Sequence, residues 1–151
     1  MSRSISRIGL LLLTSAIAIA TNSCGGGASK ITQCSSIATV VKEVVTAAKE
    51  LDALVSKDSA KEAKLFSDMS VKMQGFSKKL QAVKIQDEKL KGYQSSFAQT
   101  YQDYARAFDK LAPSMKSKDQ KAIDKGVAEM NNLSTKESAL GKEMAKYCIS
   151  K

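Results

Sequence analysis

The chain has 151 residues, with 24 Lys and Arg against 15 Asp and Glu for a formal net charge of +9. It holds no His, no Trp and one proline, Pro113, which favours helices over a sheet and excludes histidine-based acid–base chemistry. Only Arg3, Arg7 and Arg106 among the basic residues are arginine, so the charge describes a lysine surface rather than the arginine-bearing face of a nucleic-acid reader.

Arg3 and Arg7 lead into an apolar run from Ile8 to Ala20. A basic start, a short apolar core and small residues before a cut are the features of an export signal, expected here over residues 1–23. Thirteen residues at about 1.5 Å each reach roughly 20 Å, short of the ~30 Å of a bilayer core, so the run reads as a leader and not as a span. Thr21-Asn22-Ser23-Cys24 followed by Gly25-Gly26-Gly27 resembles the lipobox of bacterial lipoproteins. Ser23 and Cys24 fit that pattern; Thr21 stands where the family prefers Leu, and Asn22 is not typical. The resemblance implies a diacylglycerol on the Cys24 thiol, cleavage before it and an acylated amino terminus, with the membrane as partner through that lipid. The alternative is ordinary secretion, with Ala18-Ile19-Ala20 as the cut site and Thr21 as the first mature residue.

Without the leader about 128 residues remain, enough for one core, and the charge falls to about +7 because two arginines and no acids are lost. Three thiols in an exported protein leave one over. With Cys24 lipidated, Cys34 and Cys148 form an even pair that an oxidising compartment would join, closing a loop worth on the order of 4–5 kcal/mol.

Residues 24–33 read as a flexible, lipid-anchored tether, and residues 34–151 as the folded domain. Ile37, Val41, Val44, Ala48, Leu51 and Val55 then form a helical seam, broadened by Val40, Ala47 and Leu54 and ending near Ser56-Lys57-Asp58. Ser59 and Glu62 make a capping box before a second seam through Phe66, Met69, Met73, Phe76, Leu80 and Val83, with Gly75 inside it where a close neighbour would explain it. Asp87 is the only start signal for a third helix, which the Pro113 ring is expected to stop. Leu90, Tyr93, Phe97, Tyr101, Tyr104, Phe108 and Leu111 line that helix and include five of the chain's eight Phe and Tyr. Ser117 with Gln120 opens a fourth segment through Ile123, Val127, Met130 and Leu133. Asn131-Asn132, a second capping signature at Ser134 and Glu137, and the charge of Glu137 on the seam predict a kink or break near 131–136.

Four amphipathic segments with short connections predict an all-α, antiparallel up-down-up-down four-helix bundle, whose topology brings Cys34, Cys148 and the tether to one end. Glu-x-x-His pairs, Cys-x-x-Cys-His and a glycine-rich phosphate loop are all missing, so no enzyme, cofactor or metal site is expected. Tyr93, Phe97, Tyr101 and Tyr104 are the one stretch that invites a ligand or partner. Three tyrosines on a core-facing seam either line a pocket for an apolar ligand with a polar tip or sit at its rim with their hydroxyls in solvent; the rim is the favoured placement.

The run Leu80-Gln-Ala-Val-Lys-Ile-Gln-Asp-Glu-Lys-Leu-Lys-Gly-Tyr93, with Tyr147-Cys148, resembles a group of exported cyanobacterial proteins, and the architecture is similar to the lipid-anchored PsbQ-type subunits of photosystem II. Neither resemblance brings a residue role. The expected function is a lipid-anchored extracytoplasmic bundle, facing the periplasm or exterior, that binds or scaffolds through lysines meeting an acidic protein or anionic polymer and no nucleic acid. The alternative is a carrier of a small apolar ligand between the helices.

Overall fold

The structure, a computed structural model, describes residues 28–54 and 59–150. The leader, Cys24, Val55 at the end of the first seam and the turn expected at Ser56–Asp58 lie outside them, as does the Ser59 side chain of the expected capping box. Four helices follow in order: α1 (Lys30–Leu54), α2 (Ser59–Ala82), α3 (Glu88–Ser117) and α4 (Gln120–Ile149). Each helix packs on its neighbours in the chain, and α4 returns to α1. The diagonal α1–α3 contact is slight, and α2 and α4 do not meet among the described residues. That is the square section of an up-down-up-down bundle.

The apolar seams supply the core. Ile37, Val40, Val44, Ala47 and Leu51 of α1 are buried, with Val41 and Ala48 half-buried, so the helix is turned slightly from the expected seam. Phe66, Met69, Met73 and Leu80 face them from α2, and Leu90, Phe97, Tyr101, Phe108 and Leu111 from α3. On α4 only Ile123 and Met144 are fully buried among the large apolar side chains. The α2–α3 contact is the most extensive, and α1 approaches its neighbours least. Small buried side chains on both tight helices, Ser70 and Ser77 on α2 and Ala98 and Ala105 on α3, leave room for that approach.

Three expectations about helix ends are corrected. First, α1 begins at Lys30, so the last part of the expected 24–33 tether is helical. Gln33 is buried because its amide is used inside the fold. Second, α3 continues past Pro113 to Ser117. The proline lies in the last turns, where its missing N–H removes a single bond to the carbonyl of exposed Asp109. The stop is Lys118 in left-handed geometry (φ 57°, ψ 32°), whose N–H bonds Met115 O at 3.2 Å while the Asp119 N–H bonds Ser114 O at 3.0 Å. Asp119, not Ser117, caps α4 through its side chain on Ala122 N. Third, α4 is unbroken through 131–136. Asn131 and Asn132 lie on the solvent face, Thr135 bonds the Asn131 carbonyl, and Glu137 finds a partner on α3.

The close approach expected at Gly75 is found instead at Gly126, for which no role was expected. Gly75 is exposed and a Cβ there would meet nothing within 4 Å, so close packing does not explain it. Gly126 is the close approach: a Cβ there would sit 2.7 Å from Leu111 Cγ and nearer still to its Cδ2. Replacing Gly75 with Ala is expected to raise the unfolding free energy by about 0.5–1 kcal/mol through helix propensity. Gly126→Ala is expected to lower it by about 1–3 kcal/mol by overpacking against Leu111. Urea midpoints of the two variants, moving in opposite directions, check both.

Candidate functional site

The end of the bundle that carries the α1 N-terminus and the α4 C-terminus is its most elaborately tied region. Cys34 and Cys148 are joined there, Sγ to Sγ at 2.07 Å with their Cα atoms 6.1 Å apart, as the topology requires. The residues beside each cysteine tie the same end to the α2–α3 junction. Gln33, next to Cys34, donates to Ala28 O at 2.6 Å, and its Oε1 accepts from the N–H groups of Gln86 (2.6 Å) and Asp87 (3.0 Å). Tyr147, next to Cys148, donates to Asp87 Oδ2 at 2.7 Å. Asp87 itself caps α3 by accepting from Leu90 N at 2.9 Å, as expected of it. The Leu90 N–H, followed by the Tyr147 hydroxyl, holds its carboxyl below the usual range, and the same bond pushes the Tyr147 hydroxyl up. From α3, Gln94 donates to the Leu80 and Val83 carbonyls at 2.6 and 2.7 Å, closing the frayed end of α2. A junction without Gly or Pro is thus set by glutamines from other parts of the chain. Sequence pattern offers no signal for such caps.

Two lysines face the Tyr147 ring, Lys30 Nζ 4.8 Å and Lys89 Nζ 5.0 Å from its centroid. Lys30 also donates to the Ser150 carbonyl. Tyr93 packs against Tyr147 with 6.2 Å between ring centroids.

The aromatic seam of α3 is filled by its own side chains. Phe97 and Tyr101 are wholly buried, 6.3 Å apart between centroids, and Tyr104 is buried beside them. The expected rim placement therefore fails for Tyr101: its hydroxyl donates to Glu137 Oε1 at 2.9 Å, inside the α3–α4 contact. Tyr93 is half-buried. Burial pushes the Tyr101 hydroxyl up, and nearby Glu137 adds to it. Tyr104 is raised for the same reasons. Glu137, expected to interrupt the α4 seam, is a partly buried acceptor. Desolvation raises its carboxyl against the opposing bonds from Tyr101 and Tyr104.

An open groove of about 500 Å³ runs between α1 and α2, with Ala47, Gly75 and Phe76 along it. Its edges are tied by Lys79–Glu43 at 2.6 Å and Lys72–Glu50 at 3.5 Å, exposed pairs that contribute little to stability. Among the described residues no group of three or more His, Cys, Asp or Glu is placed to hold a metal ion, and no described helix is long and apolar enough to cross a membrane. No protein family, curated protein or solved structure matches the chain.

Proposed function

We propose that the protein is a lipid-anchored extracytoplasmic bundle, tethered through Cys24, that binds or scaffolds an anionic partner through its lysines. The observation that carries this reading is the pairing of Cys34 with Cys148, which leaves Cys24 as the odd thiol beside the small residues of a lipobox-like sequence. The pair sits at the end from which the Cys24 segment enters the fold, so an anchor there leaves the length of the bundle free. The carrier alternative draws no support from the aromatic seam, because Phe97 and Tyr101 are wholly buried and the Tyr101 hydroxyl, the polar group a ligand would use, is bonded to Glu137.

Intact mass of the protein made in a bacterial host with lipoprotein processing tests the anchor. The expected species begins at Cys24, carries diacylglycerol and fatty acyl mass, and is two hydrogens lighter than the dithiol. A species that begins at Thr21 without added acyl mass overturns the anchor.

A further inference from the structure

Most of the net positive charge of the described residues lies at one end. Residues 28–37, 78–95 and 140–150, which make up the disulfide end, hold eight lysines against three acids, Asp87, Glu88 and Glu143. The opposite end, residues 49–54, 59–68 and 109–129, holds eight lysines against eight acids. Two segments of similar size thus differ by five charges, and nothing in the helix packing requires that difference. Of the four large apolar side chains exposed among the described residues, two are also on the basic end: Ile31 at 45% and Ile149 at 79% exposure. They sit in sequence beside Lys30 and Ser150, which are hydrogen-bonded to each other.

We propose that this end is a membrane-docking face, its lysines meeting anionic headgroups while Ile31 and Ile149 reach the acyl boundary. The proposal rests on the anchored reading above and specifies its surface and its partner. Cys24 precedes Ala28, the first described residue, by four positions, at most about 14 Å of extended chain. A lipid on Cys24 would hold the basic end within a short distance of the headgroups, where the surface potential acts over a Debye length of about 8 Å. An acidic protein could meet the same lysines, but it would have to compete with a membrane held this close. Exposed isoleucines beside the lysines suit a lipid boundary that is charged outside and apolar within.

The chain has no Trp, so single probes report without background. Full-length protein from a lipoprotein-processing host is prepared with Ile149→Trp, Ile31→Trp or Leu54→Trp, the last an exposed position at the far end. Each is mixed with phosphatidylcholine vesicles, with or without phosphatidylglycerol, containing brominated acyl chains. Co-sedimentation with phosphatidylcholine alone reports the anchor, and its absence counts against the anchored reading. Docking is reported separately by quenching that depends on phosphatidylglycerol. The probes at 149 and 31 are expected to be quenched and blue-shifted at low salt and to lose most of that at high salt, while the probe at 54 stays unquenched. Neutralising Lys84 and Lys146 to Gln together is expected to weaken the phosphatidylglycerol-dependent part roughly tenfold or more. Quenching that is equal at the three positions, or the same with and without phosphatidylglycerol, overturns the proposal. In the second case the lysines do not meet anionic headgroups, and the acidic-protein partner becomes the reading to test.

Discussion

Replacing Cys34 and Cys148 together with serine is expected to lower the unfolding free energy by about 4–5 kcal/mol, less whatever strain the bond carries. The cysteines are 114 positions apart, so the bond closes nearly the whole domain into one loop and removes a large share of the unfolded chain's freedom. The loss will be uneven. Since α1 approaches its neighbours least, the bond and the Gln33 clamp supply much of what holds its first turns. Hydrogen exchange in the cysteine double variant should therefore quicken most in residues 30–40 and at the α2–α3 junction, with α2 and α3 still protected where they face each other. Chemical denaturation with Cys24 unchanged measures the total. A midpoint equal to that of the parent protein would show that the closed loop contributes nothing.

The bundle was legible in the sequence because its evidence is periodic. Seams at three- and four-residue steps in four stretches, turned by short connections, leave few ways to bury Ile37, Met69, Phe97 and Ile123 together. The pairing of Cys34 with Cys148 was legible because setting Cys24 aside leaves an even pair, and the bundle topology brings those two positions to one end. What pattern could not supply was anything set by a residue far away in the chain. The α2–α3 junction depends on Gln33, more than fifty positions earlier, and an ordinary glutamine at a helix start carries no mark of that task. Pro113 looked like a stop, but its effect depends on whether the freed carbonyl lies on the solvent side of a last turn. Gly75 and Gly126 are indistinguishable as letters; only the position of Leu111 gives one of them a reason. Glu137 looked like a break in the α4 seam because its partner, Tyr101, is itself read as an apolar seam residue.

That pair carries the second large effect. Tyr101→Ala is expected to destabilise the bundle by about 3–5 kcal/mol, because it empties the space of a wholly buried ring. Tyr101→Phe isolates the hydroxyl and is expected to cost about 1–3 kcal/mol at neutral pH by removing a donor from the Glu137 carboxylate. The pH dependence separates the carboxylate from the packing. Glu137 has a folded-state pKa above its ordinary value of 4.5, so the folded state holds that proton more tightly than the unfolded chain. Its contribution is therefore most favourable below 4.5 and is lost as pH rises through the folded value. In Glu137→Gln that loss is absent, so the variant should gain on the parent as pH is raised from 4 toward 7. The Tyr101→Phe penalty should grow over the same interval, since an ionised acceptor needs its donor more than a protonated one does. Tyr101 and Tyr104 add an alkaline limb of the same sign. Both are raised above the ordinary value of 10, so their stabilisation is full below 10 and is lost as the unfolded chain ionises above it. Tyrosinate absorbance from these two should appear together with loss of helix rather than before it. Parallel pH profiles for the parent and Glu137→Gln would mean that the bonds from Tyr101 and Tyr104 fully offset the desolvation of the carboxylate, and would overturn the raised Glu137 pKa on which this prediction stands.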